Sequence, residues 1–144
     1  MDIEIKENLT LNIHGFGGTV VNKAFVDTAF KLMNKMWEIV KGNKIANKGL
    51  NVWVYEGSTK LFAGVELEET PPANTGVEFK NIELAKYAYY KHVGPYQHIG
   101  RSGDRVVAEL KERGIATTNV YIEIYGHWDN DESKLETELI WEVR

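Results

Sequence analysis

Asn51-Val52-Trp53-Val54-Tyr55-Glu56-Gly57 returns, with one residue added, as Asn119-Val120-Tyr121-Ile122-Glu123-Ile124-Tyr125-Gly126. Both stretches alternate β-branched residues with aromatic or acidic ones, the period of a strand whose two faces meet different surroundings. The β-branched set (Val52, Val54, Val120, Ile122 and Ile124) is expected to face the helices, leaving Trp53, Tyr55, Tyr121, Glu123 and Tyr125 on the other face. In the pairing of the copies Tyr55 is the counterpart of Glu123. A twofold arrangement then gathers aromatic rings and one carboxylate near its axis.

Around each copy the same order of elements can be read. In the first half, apolar residues at 3, 5, 9, 11 and 13 predict a strand over Ile3–Phe16, ended by Gly15, Gly17 and Gly18. A helical stripe follows between Val20 and Val40 (Phe25, Ala29, Phe30, Met33, Met36, Trp37), with Thr19 as N-cap and Gly42 as stop. Strands over Leu50–Glu56 and Leu61–Leu67 flank a turn at Gly57-Ser58-Thr59. In the second half the order is a strand over Ile82–Val93, a break at Gly94-Pro95 and a helix over His98–Arg113, then strands over Asn119–Tyr125 and Leu135–Val143. The segment 69–76, with two prolines, connects the halves. The expected fold is α+β: duplicated βαββ units with pseudo-twofold symmetry, an antiparallel sheet with two helices on one face, and a central groove. It fills residues 1–144 as one domain, with repeat one at about 1–68 and repeat two at about 77–144.

The totals narrow the function. With 144 residues and 43% hydrophobic content the chain can bury a core of its own. The 17 basic and 21 acidic residues give −4, with no basic block, which argues against nucleic acid as a direct partner. No cysteine is present, so disulfides, thiolate nucleophiles and Cys-based metal sites are excluded. There is no apolar signal core after Met1 and no membrane-length apolar run, so a cytoplasmic protein without a membrane partner is expected.

Aromatic walls with one acid suit a flat, apolar ligand carrying positive charge. A cation over an aromatic ring gains about 0.5–2 kcal/mol. A carboxylate about 4 Å away adds up to roughly 4 kcal/mol at an effective dielectric near 20, before desolvation. The competing reading is a solvated strand face on which Glu123 is a surface acid and the aromatics are β-formers.

The stretch Tyr87-Ala-Tyr-Tyr-Lys-His-Val-Gly-Pro-Tyr96, then a helix, Tyr121-Ile-Glu-Ile-Tyr125, the acidic Asp129-Asn-Asp-Glu132 and Thr137-Glu-Leu139 resemble the GyrI-like effector-binding domains. These domains also form the ligand-sensing part of AraC-type and MerR-type transcription activators. The resemblance implies a duplicated βαββ fold whose central groove binds lipophilic cations or other drug-like molecules, with the acid of the Glu-Ile-Tyr strand, here Glu123, inside it. Trp141-Glu142 departs from the pattern, where relatives tend to have an aliphatic residue and proline. The chain is read as a stand-alone small-molecule-binding domain that senses or sequesters its ligand. Its expected site residues are Glu123, Tyr55, Trp53, Tyr121, Tyr125 and Tyr96, the last beneath the groove or at its rim.

Two other classes stay open. Some relatives hydrolyse strained, cyclopropane-bearing alkylators within an aromatic cage, for which this chain has 4 Trp and 7 Tyr; Glu123 would then be catalytic. Others protect DNA gyrase, so a protein partner is the third reading. Hydrolysis is disfavoured, since no diagnostic dyad is visible, and no cofactor is expected. His14, His92, His98 and His127 lack metal-ligand spacing, so no metal is expected either. Gly15-Phe-Gly-Gly18 reads as a tight strand-to-helix turn needing positive φ, with an anion site as the alternative. Ser102 reads as a helix-surface residue, Trp37 as core, and Trp128 as a lid, a contact surface or neither. The strand Ile82–Val93 has aromatics and charges on both faces, so its orientation stays open.

Overall fold

A computed structural model describes all residues, Met1–Arg144. In chain order the elements are β1 (Glu4–Thr19), α1 (Phe25–Gly42), β2 (Val52–Glu56), β3 (Lys60–Val65), β4 (Glu78–Val93), α2 (Ile99–Glu112), β5 (Thr117–Tyr125) and β6 (Glu136–Val143). The order is that of two βαββ units, and every strand pairing is antiparallel. The sheet closes on itself in the order β1-β3-β2-β5-β6-β4. Each half contributes three adjacent strands, and the halves meet along two seams, β2 with β5 and β1 with β4. At the first seam Val54 lies opposite Ile122, Trp53 opposite Glu123 and Tyr55 opposite Tyr121. A twofold axis through the Val54–Ile122 pair carries Tyr55 onto Glu123, as the repeat in the sequence requires.

Closure gives the β-branched residues a different home from the one expected. Leu11, Ile13, Val52, Val54, Phe62, Ile82, Leu84, Ile122 and Ile140 pack together with Tyr87 in the barrel interior, a cluster without a helical residue. Val120 and Ile124 pack against the same cluster. The helices lie outside, on the face that carries the aromatic and acidic set. There α1 packs Ala29 with Trp53, Leu61 and Ala63, and Met36 and Val40 with Phe16 and Val65, while α2 packs Ile99, Val106 and Leu110 on Ala88, Leu139 and Trp141. The expectation that Val52, Val54, Val120, Ile122 and Ile124 face the helices is therefore corrected. A rolled sheet has an inside of its own to bury them.

Two local expectations change with it, and the orientation of β4, left open by the sequence, is given. β1 runs on through Gly15, Gly17 and Gly18 to Thr19, so these glycines form no strand-to-helix turn, and the Gly17 N–H already donates to the Glu78 carboxylate of β4 at 2.7 Å. Gly15 pairs directly with Gly64 on β3, and a Cβ there would collide with the backbone of Ala63 and Gly64. The absence of side chains serves a close strand approach. The turn into α1 comes later, at Asn22 and Lys23 (φ 54° and 58°), so α1 begins at Phe25 and Thr19 is not its cap. In β4 the alternation slips between Leu84, inside, and Tyr87, also inside, at the point where the facing β1 carries the left-handed Asn8 (φ 62°). No helix is long and apolar enough to cross a membrane.

Candidate functional site

The outer face of the β2–β5 seam is the floor of a groove of about 940 Å³ between the two helices. Strand alternation places Trp53 and Tyr55 of β2 beside Tyr121, Glu123 and Tyr125 of β5, and all five line it. Tyr96, on the short turn before α2, stands at the rim, 38% exposed, edge-on to Tyr125 with ring centroids 5.7 Å apart. All six expected residues thus meet in one cavity.

At its centre Glu123 is only 7% exposed. Three phenols donate to its carboxylate: Tyr125 to Oε1 at 2.5 Å, Tyr55 to the same oxygen at 3.3 Å, and Tyr121 to Oε2 at 2.7 Å. Burial, then the adjacent Glu123 charge and its hydrogen bonds, push the hydroxyl pKa values of Tyr55, Tyr121 and Tyr125 far above the ordinary tyrosine range. They therefore act as donors throughout the physiological range. The solvated-face reading of Glu123 does not hold, because the helices on either side wall off this face of the sheet.

The rings support one another. Tyr121 packs against Trp141 at 4.8 Å and Tyr55 at 5.4 Å; Trp53 meets Tyr125 at 4.9 Å and Phe30 of α1 edge-on at 5.5 Å. Trp141, the departure from the family pattern noted above, thus supplies part of one wall. The two edge-on pairs, Trp53 with Tyr125 and with Phe30, are each worth about 0.5–1.5 kcal/mol beyond their burial, and with the tilted pairs at Tyr121 they hold the hydroxyls in position.

Several groove residues were not among those expected. Val26, Phe30 and Met33 of α1 form one wall and Gly100, Gly103, Asp104 and Val107 of α2 the other. A signal for them existed: 26, 30 and 33, like 100, 103, 104 and 107, fall on one helical face. On α1 the apolar stripe is wider than the core uses, leaving Val26 58% and Phe30 48% exposed. Trp128 also lines the groove, at its mouth, and is 65% exposed.

The motif histidine serves the frame and not the groove. His92 is buried; its Nε2 donates to the carbonyl of Pro95 at 3.1 Å, which leaves Nδ1 to accept from Ser102 Oγ at 2.7 Å. Ser102 is thus a tie between strand and helix instead of a surface residue. Trp37 does not line the groove; half-buried against the core beneath α1, it donates to Oδ1 of the groove-lining Asn51 at 2.5 Å. No cluster of three or more His, Asp or Glu side chains is arranged to hold a metal.

Residues 31–144 match the family described as GyrI-like small molecule binding domain. No curated protein sequence matches the chain. Among solved structures, the EcmrR C-terminal domain superposes with a TM-score of 0.77 at 16% identity, covering 99% of this chain and 97% of that one. SAV2435 bound to tetraphenylphosphonium gives 0.66 at 16% identity, over 100% and 94% of the two chains. A hydrolase from Listeria innocua gives 0.59 at 11% identity, over 99% and 91%. At these identities the likeness is one of fold.

Proposed function

The chain belongs to the GyrI-like small-molecule-binding domain family, and from that premise we propose that its groove binds lipophilic aromatic cations whose charge is covered by carbon. The observation that carries this is the Glu123 carboxylate, buried among aromatic rings and held by three phenols. Phenol donors disperse a negative charge without neutralising it, and no lysine or arginine lines the groove. The remaining field favours a positive ligand.

The same hydrogen bonds speak about the kind of cation. Both carboxylate oxygens already accept, so little is left for an ammonium that needs its N–H groups satisfied on leaving water. A quaternary or phosphonium centre makes no such demand. Its apolar arms fill the groove, while ring faces and the carboxylate supply cation–π and Coulomb attraction.

Tetraphenylphosphonium and tetraphenylborate share shape and size and differ in the sign of their charge. Calorimetry with both should show the cation bound at least about tenfold more tightly, as a carboxylate close to the charge predicts. In Glu123→Gln that preference should collapse. Equal binding of the two ions, or a cation preference that survives in the variant, would refute the reading.

A further inference from the structure

The two helices that wall the groove are related by the repeat but do not present the same chemistry to it. α1 offers Val26, Phe30 and Met33, and Phe30 reaches Trp53 on the floor. At α2 the wall is Gly100, Gly103 and Asp104, with Val107 as its one large apolar side chain beyond the helix's first residue. Glycine is a poor helix former, and two on the same face within the first five residues of α2 leave that end of the helix weak unless the missing side chains serve something. Packing against the barrel does not require them. A Cβ at Gly100 would meet nothing within 4 Å, and at Gly103 only Trp141 at an ordinary 3.7 Å. The space they leave is groove.

Asp104 borders that space. It takes part in none of the ion pairs of the chain and makes no side-chain hydrogen bond. It differs from Glu123 in what it can accept. The oxygens of Glu123 are occupied by tyrosines, whereas those of Asp104 are open to N–H donors.

We propose that the α2 wall is a second ligand subsite, in which Gly100 and Gly103 clear room for an extended arm and Asp104 pairs with an N–H-bearing cationic group at its end. The preferred ligand is then two-centred: a carbon-shielded cation at Glu123 joined to an amine or amidine at Asp104. This rests on the groove reading above and extends it from ligand charge to ligand shape.

The test uses alkyltriphenylphosphonium ions ending either in methyl or in a primary amine, over a series of chain lengths, titrated into the whole protein. At the best length the amine should bind about fivefold tighter, the scale of an ion pair near a protein surface. Asp104→Asn should bring the ratio of the two affinities to about one. Gly100→Ala with Gly103→Ala should raise Tm, since alanine favours the helix and meets no clash, yet weaken the amine-ended compound. The absence of an amine gain at every length, a gain that persists in Asp104→Asn, or an alanine pair that leaves affinity untouched overturns the subsite. If the methyl-ended ions bind and only the amine gain is missing, the groove reading survives; if none binds, both fall.

Discussion

At Glu123 a charge is kept in a nearly dry place by neighbours that are themselves acids, and this makes the site sensitive to alkali. Unfolded tyrosines lose their protons near pH 10, while Tyr55, Tyr121 and Tyr125 in the fold hold theirs well above it. Above about pH 10 the unfolded chain therefore binds fewer protons than the folded one, and stability falls as pH rises. Each retained proton contributes at most about 1.4 kcal/mol per pH unit, so the three together reach about 4. Urea midpoints at pH 8, 10 and 11 should show this loss, and Tyr121→Phe should make the decline shallower. The same variant should cost about 1.5–3 kcal/mol at pH 7, the worth of a hydrogen bond to a charged group. A decline of unchanged slope would mean that Tyr121 holds no extra proton in the fold.

The strand-to-helix joint preceding α2 is where an element is set in place. His92 on β4, the carbonyl of Pro95 and Ser102 in the first turns of α2 form one chain of hydrogen bonds, and the turn they brace carries Tyr96 to the groove rim. Ser102→Ala should leave a buried imidazole nitrogen without a donor and cost about 1–3 kcal/mol by chemical denaturation. A cost near zero would show that water replaces the hydroxyl. This joint illustrates what could be read in the sequence and what could not. Helical spacing located α2 and its apolar stripe, but a serine flanking that stripe, between Ile99 and Val106, gave no sign of its partner ten residues earlier. In β4, period-2 reading failed because no single period exists: the slip between Leu84 and Tyr87 puts residues of both parities inside. Asn8, the left-handed residue opposite that slip, lies on another strand, beyond the reach of a local pattern.

For the whole molecule, alternation along β2 and β5 was enough to group Trp53, Tyr55, Tyr121, Glu123 and Tyr125, and the repeat was enough to place them on an axis. Which side the helices cover was not legible. Alternation tells which residues share a face, and only closure of the sheet tells what each face meets. The closed ring leaves no edge open to strand pairing with other chains. Its interior and its groove are also insulated from each other by the sheet itself, so changes in the groove residues should disturb the β-branched cluster little.

The groove floor is the seam between β2 and β5, so Trp53 and Tyr55 come from one half of the chain and Glu123 with its other two tyrosines from the other. Between the halves lies a largely exposed Pro71–Gly76 connection. Cutting it, for instance with a protease site introduced at Asn74, would create two three-stranded pieces, each with two bare edges that fit only the other. The nicked protein should elute as one particle and still take up tetraphenylphosphonium; pieces that drift apart would show that the covalent tether, not the seams, keeps the ring shut. A molecule lodged in the groove touches both pieces at once. It would act as a rivet, and its affinity could be read as the strength it adds to a non-covalent heterodimer.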